Sequence, residues 1–189
     1  MKGLILAGGK GTRLRPLTLN TPKPIVPVAN RPFLLYQLDL MKSAQINEII
    51  LSLSYQPRKI EDLVKDGADF DVLIRYTVEG HPLGTAGAFK NAEDWIEEPT
   101  VVFNGDVLTS LDLNAVIEAH RKKDAIATIV LKPVEDPSAY GLVECDETGR
   151  IRRFVEKPGM DEVTSNNINA GTYVLEPEVF DHIPRDRPF

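Results

Sequence analysis

The stretch Leu4-Ile5-Leu6-Ala7-Gly8-Gly9-Lys10-Gly11-Thr12-Arg13-Leu14-Arg15-Pro16-Leu17-Thr18, followed by Thr21-Pro22-Lys23-Pro24, decides how the chain is read. Its apolar start is a buried strand that empties into a glycine turn, and the segment beyond carries Arg13, Arg15 and Lys23. Glycines lack a Cβ, so successive backbone N–H groups can converge on phosphate oxygens at close range, and the cations supply charge. A Walker A loop needs Gly-Lys-Ser/Thr at its end, and the dinucleotide fingerprint needs a third glycine where Leu14 stands. What remains is a triphosphate cradle of a different kind.

Outward from this loop, strand-like apolar runs alternate with amphipathic helical stretches, the pattern of an α/β sheet with helices on both faces. Strands are predicted at 2–6, 48–54, 72–78, 100–103 and 125–132, and helices at 33–44, 58–65, 86–95 and 114–123. Pro32, Pro57 and Ser110-Leu111-Asp112 mark helix entries. Beyond Lys132 the texture changes to shorter strands at 140–145, 151–156 and 168–175, with a hairpin turn at 146–149 and an exposed polar loop at 159–166. In open α/β sheets ligands sit outside the carboxyl ends of strands, near a switch in strand order. The glycine loop and Asn104-Gly105-Asp106 both follow strands directly, so they can face one crevice.

A chain of 189 residues with 42% hydrophobic content can build a sizeable core, and one domain over 1–189 is the expectation. The net charge of −6 argues against a nonspecific nucleic-acid surface, so an anionic ligand must meet a local basic site. Cys145 is the single cysteine, which excludes an intrachain disulfide and a cysteine metal cluster; His81, His120 and His182 show no ligand spacing. The apolar run at 4–7 is too short for a signal peptide core, and no stretch is long enough to span a bilayer. A reducing cytoplasm is the expected location, with no membrane partner.

The quoted motif resembles the signature of the sugar-1-phosphate nucleotidyltransferases, or nucleotide-sugar pyrophosphorylases: Gly-Gly-x-Gly-Thr-Arg-Leu-x-Pro-Leu-Thr, then Pro-Lys-Pro. Further matches follow in the family's order at Pro82-Leu83-Gly84-Thr85-Ala86-Gly87, Asn104-Gly105-Asp106, Tyr140-Gly141, Val155-Glu156-Lys157-Pro158 and Asn169-Ala170-Gly171. The resemblance spans nearly the whole chain and is nearest to the guanylyltransferases that act on mannose 1-phosphate. It implies a Rossmann-like nucleotidyltransferase core, mostly parallel, that joins an NTP, GTP favoured, to a sugar 1-phosphate and releases pyrophosphate. Relatives commonly self-associate, so a homo-oligomer is an expectation of the same kind.

The resemblance also implies roles. Leu6, Ala7, Gly8, Gly9, Gly11, Thr12 and Arg13 would hold the nucleotide, Arg13 pairing with the leaving phosphates through its planar fork. Lys23, on a stiff extended segment between prolines, would bridge the α-phosphate and the sugar phosphate; taken alone, Pro-Lys-Pro reads as an exposed loop. Asp106 would ligate Mg²⁺, where the bland reading is a cap or turn residue. Glu79, Pro82 and Gly84 fall at the base. Guanine offers adjacent N1–H and N2–H donors that a carboxylate can accept together, whereas uracil and thymine flank one N–H with carbonyls; the alternative is a solvent-facing Glu79. Gly141, Glu156, Lys157 and Asn169 match the sugar and sugar-phosphate contacts, against a charged strand edge as the plainer reading. The family's second metal-binding aspartate, in a Trp-x-Asp-x-Gly-like context, has no counterpart here, nor has the hexapeptide-repeat β-helix that many relatives add. A C-terminally shortened catalytic domain is therefore expected. Two rivals stay open: a regulatory subunit that binds nucleotide sugar without making it, and a uridylyl or thymidylyl transferase of the same fold.

Overall fold

A computed structural model describes residues 1–157, 159, 163–185 and 187–189. The chain divides into two compact units, one of Met1–Thr128 with Tyr173–Phe189 and the other of Ile129–Thr172.

The first unit is built on parallel strands. β1 (Lys2–Leu6) is flanked by β4 (Glu48–Leu53) and β6 (Thr100–Asn104), and β5 (Leu73–Val78) pairs with β4. The order β5-β4-β1-β6 therefore runs outward on one side of β1 and returns to the other. The switch lies between β1 and β6, and the glycine loop and Asp106 follow the carboxyl ends of these two strands. Side chains alternate across a strand with period two. Ile5, Ile49, Leu51, Leu53, Val101 and Phe103 accordingly join one buried cluster, while Leu4, Ile50 and Val102 join a second on the opposite face. Helices α1 (Phe33–Ser43), α2 (Pro57–Val64) and α4 (Leu113–Lys123) cover the first face; α3 (Gly84–Lys90) covers the second, where Phe89 stacks on Phe180 at 4.4 Å. Strands buried on both faces read as continuous apolar runs, which is why 48–54 and 100–103 were legible.

Asp112 caps α4 by accepting from Ala115 N–H at 3.1 Å, and Pro57 stands in the first turn of α2, as the entry residues predict. The helix expected over 86–95 is shorter. Thr77 Oγ1 donates to the Asn91 carbonyl at 3.2 Å while Trp95 N–H turns back to Ala92 O, so the α-helical ladder stops and a 3-10 turn, Glu93–Trp95, follows. Between the glycine loop and α1, β2 (Pro27–Val28) and β3 (Arg31–Pro32) form a two-residue ribbon that periodicity could not reveal.

In the second unit β8 (Gly141–Cys145) and β9 (Ile151–Glu156) form the expected hairpin, and β10 (Asn167–Leu175) pairs antiparallel with β8. β7 (Ala127–Pro133) pairs with β10. Of the loop expected at 159–166, residues 160–162 lie outside the described residues; Val163 is exposed. No helix among the described residues is long and apolar enough to cross a membrane.

Candidate active site

The carboxyl ends of β1, β4, β5 and β6 are tied together by main-chain bonds that outlast the strands. Ala7 N–H donates to Ser52 O at 2.8 Å, Glu79 N–H to Leu53 O at 2.8 Å, and Gly105 N–H to Leu6 O at 2.9 Å. Above them opens a cavity of about 640 Å³, within the size range of small-molecule sites. It is lined by Leu6, Ala7, Gly8, Gly9, Gly11, Thr12, Arg13, Lys23, Glu79, Pro82, Gly84 and Asp106. All twelve residues that the sequence assigned to nucleotide, metal and chemistry in this unit therefore meet in one place.

The glycine loop earns its composition locally. Gly11 has φ +60°, and a Cβ there would stand 3.0 Å from both Lys23 Cβ and Thr18 Cγ2. Its carbonyl accepts from Leu14 N–H at 2.9 Å and from the hydroxyl of buried Thr18 at 2.7 Å, which fixes the 3-10 turn Thr12–Leu14. Gly9 differs, because a Cβ added to it would meet nothing within 4 Å. Its glycine is not required by protein packing, and the backbone there faces the cavity without a side chain.

Among the described residues, Arg13 and Lys10 have no carboxylate at salt-bridge distance, although both line the cavity. These two cations beside the glycine loop concentrate positive charge at the cavity in a chain of net charge −6. Lys10 carried no assignment in the sequence reading; its place inside the glycine motif was the available signal. Lys23 opens a 3-10 turn, Lys23–Ile25, instead of sitting on a fully extended segment. Val26 N–H donates back to Lys23 O at 3.2 Å, and the turn directs the ammonium to Asp106, with Nζ 2.7 Å from Oδ2. Asp106 follows Gly105, whose position tolerates no side chain because a Cβ would stand 2.5 Å from Leu6 O.

Glu79 is at the cavity, neither fully solvent-facing nor free. Its Oε2 accepts from Leu83 N–H at 3.0 Å, its Oε1 lies 3.5 Å from Ser52 Oγ, and a Cβ on Gly8 would come within 2.8 Å of Oε1. The carboxylate thus also holds the turn leading to α3. Gly84, with φ +73°, packs against the main chain of Phe189, whose N–H donates to Leu83 O at 2.9 Å.

In the second unit, Gly141 and Glu156 are cross-strand partners, and Lys157 N–H donates to Tyr140 O at 2.9 Å. Asn169 lies one residue beyond Ile168, the partner of Leu142 on β8, and its Oδ1 accepts from Gly171 N–H at 2.9 Å. These four residues therefore gather around the start of β8. A Cβ on Gly141 would stand 2.7 Å from the tip of the half-exposed Phe154 ring and 3.0 Å from Glu156 Oε2, so a side chain there would have to displace the ends of both.

The family model described as Nucleotidyl transferase matches residues 2–188. A curated UTP–glucose-1-phosphate uridylyltransferase from Synechocystis is 39% identical over 203 residues, covering 100% of this chain and 52% of that protein. A mannose-1-phosphate guanyltransferase from Yarrowia lipolytica is 46% identical over 188 residues, covering 97% of this chain and 51% of its own length. Among solved structures, a Bacillus anthracis protein described as a glucose-1-phosphate thymidylyltransferase, in complex with sucrose, superimposes with a TM-score of 0.90 at 29% identity, covering 100% of this chain and 76% of that one. The chain spans about half the length of the curated relatives it matches. A family match over residues 2–188, on a fold that brings the glycine loop, Lys23 and Asp106 to one cavity, means that this chain belongs to the nucleotidyl transferase family.

Proposed function

We propose that this chain transfers a nucleotidyl group from an NTP to a sugar 1-phosphate, with GTP and mannose 1-phosphate as the favoured pair. The observation that carries the reading is the cavity at the β1/β6 switch, where Arg13 and Lys10 stand without carboxylate partners among the described residues beside a glycine loop, and Lys23 meets Asp106. A sugar-phosphate oxygen attacks the α-phosphorus; the bond from that phosphorus to the bridging oxygen breaks, and pyrophosphate leaves. Because the sugar phosphate attacks the α-phosphorus directly, no protein nucleophile is required, and because one phosphoanhydride replaces another, the reaction is close to balanced in energy. The protein's part is positioning and charge: backbone N–H groups of the loop and Arg13 hold the leaving phosphates, and Lys23 stabilises charge at the α-phosphate. Gly141, Glu156, Lys157 and Asn169 are assigned to the sugar phosphate.

Asp106 fits a divalent cation. Mg²⁺ is commonly held by one or two carboxylates with phosphates and waters making up the rest, and Asp106 is a part-exposed carboxylate beside the phosphate cradle. No group of three or more His, Cys, Asp or Glu able to hold a metal exists among the described residues, so phosphate oxygens and waters would complete the coordination beside Asp106. When bound, the ion would neutralise charge on the phosphates.

Mannose-1-phosphate guanyltransferase relatives support the guanine and mannose assignments. A second reading, a uridylyl or thymidylyl transfer by the same residues, is favoured by the names of the Synechocystis and Bacillus proteins and by Glu79's existing bond to Leu83 N–H. Calorimetric titration of GTP, UTP, dTTP and ATP in the presence of Mg²⁺ tests the choice: tightest binding of GTP supports the guanylyl reading, and tighter binding of UTP or dTTP replaces it with the second. Absence of binding by all four defeats both.

A further inference from the structure

We propose that Gln37 is a positioning residue for Asp106, an inference that rests on the metal–nucleotide reading above. Gln37 lies in the middle of α1, 3% exposed, on the same buried side as Leu34, Leu38 and Met41. An amide among aliphatic side chains has to be explained by its hydrogen bonds. Its Nε2 donates to Asn104 O and to Val107 O, each at 2.9 Å. These two carbonyls bracket Gly105 and Asp106, so the amide clamps both ends of the turn from which Asp106 projects.

The rest of the turn agrees. Val107 N–H closes on Asn104 O at 3.1 Å, and the Asn104 carbonyl has a second lone pair for Gln37. Gly105 N–H donates to Leu6 O at 2.9 Å, which holds the turn from β1 while Gln37 holds it from α1. Asp106 is left as the member directed at Lys23. Gln37 Oε1, by contrast, is buried with no hydrogen-bond partner among the described residues. An unmatched buried acceptor is unfavourable, and Leu or Met would fill this part of the core without it. What a glutamine offers here, and an aliphatic residue does not, is the pair of donors on the Asp106 turn.

The test compares Gln37→Met, which keeps the shape and removes both donors, with Leu38→Ala, a truncation of a buried apolar side chain on the same helix. Two quantities are read: amide hydrogen exchange at Gly105 and Val107 in the nucleotide-free chain, and Mn²⁺ binding to the GTP-bound chain by electron paramagnetic resonance. Gln37→Met is expected to accelerate exchange at both amides and to weaken Mn²⁺ about tenfold, with metal-free GTP binding within about twofold of the unmodified chain. Leu38→Ala is expected to leave Mn²⁺ affinity of the folded chain within about twofold. Unchanged exchange in Gln37→Met, unchanged Mn²⁺ affinity, or an equal loss in Leu38→Ala each overturns the proposal. Should Gln37→Met fail to fold, Gln37→Asn, an amide too short to span both carbonyls, is judged by the same two readings. If the unmodified chain with GTP takes up no Mn²⁺, the metal role of Asp106 falls and the proposal with it; a loss that distinguishes only the Gln37 variants concerns Gln37 alone.

Discussion

Lys23 Nζ stands 2.7 Å from Asp106 Oδ2, across 83 residues of sequence. The cation assigned to the α-phosphate and the carboxylate assigned to the metal therefore neutralise each other when neither ligand is bound. The pair is part-exposed, with side chains 26% and 44% accessible. Such pairs contribute only about 0–1 kcal/mol, so phosphate and cation can replace each partner at small cost.

Replacing Lys23 or Arg13 with Ala should leave the fold intact and remove charge where it develops in the transition state. Loss of one such donor costs about 3 kcal/mol, roughly two orders of magnitude in rate. Turnover and thermal melting of each variant check this together. Asp106→Asn keeps the shape and removes the charge a hard cation needs, so its defect should appear in Mn²⁺ titration of the nucleotide complex.

Gly8 and Gly9 are adjacent yet should respond differently to the same substitution. A Cβ on Gly9 meets no protein atom within 4 Å, so Gly9→Ala should change stability by less than about 0.5 kcal/mol while weakening nucleotide binding. A Cβ on Gly8 would stand 2.8 Å from Glu79 Oε1 and 3.0 Å from Ser54 Cβ, so Gly8→Ala should lower stability by about 1–3 kcal/mol as well. Denaturant unfolding beside nucleotide titration separates the two effects.

Glu79→Gln leaves one carbonyl oxygen for Leu83 N–H and introduces a donor in place of the second acceptor. Preference for GTP over UTP and dTTP should narrow by about tenfold, well below the ~10⁴ reached when a site's groups are left wholly unpaired, because Glu79 already serves Leu83. Competitive binding of the nucleotides to both forms measures it; an unchanged preference would remove Glu79 from base recognition.

The β8–β9 hairpin supplies a pH prediction of its own. Asp146 accepts from Thr148 Oγ1 at 2.6 Å and from Arg150 N–H at 3.0 Å, and these bonds hold its pKa down to about 2 from the ordinary 3.8. A carboxylate depressed in the folded state adds stability above the unfolded value, and that stability fades as pH falls through about 2. Thr148→Val removes the largest of these contributions, so carboxyl NMR titration should find the Asp146 midpoint moved upward.

Much of this architecture is legible in the sequence because it is periodic or local. The apolar runs that became β1, β4 and β6 are buried on both faces, and Asp112 and Pro57 announce their helices. The glycine motif holds seven of the twelve cavity residues, and the other five, Lys23, Glu79, Pro82, Gly84 and Asp106, come from the further segments that carry the family resemblance. What escaped depends on contacts between distant segments. The break after α3 is set by Thr77 on β5, the aim of Lys23 by Asp106, and the hold on the Asp106 turn by Gln37, which periodicity reads only as a polar residue within a helix.

The most direct measurement is pyrophosphate release by the purified chain with Mg²⁺, mannose 1-phosphate and each NTP in turn, with the nucleotide-sugar product identified by mass. The account predicts one pyrophosphate per GDP-sugar formed, fastest with GTP, and a fall of roughly two orders of magnitude in Lys23→Ala. Nucleotide binding without pyrophosphate release from any NTP with mannose 1-phosphate, or undiminished release in Lys23→Ala, would contradict it.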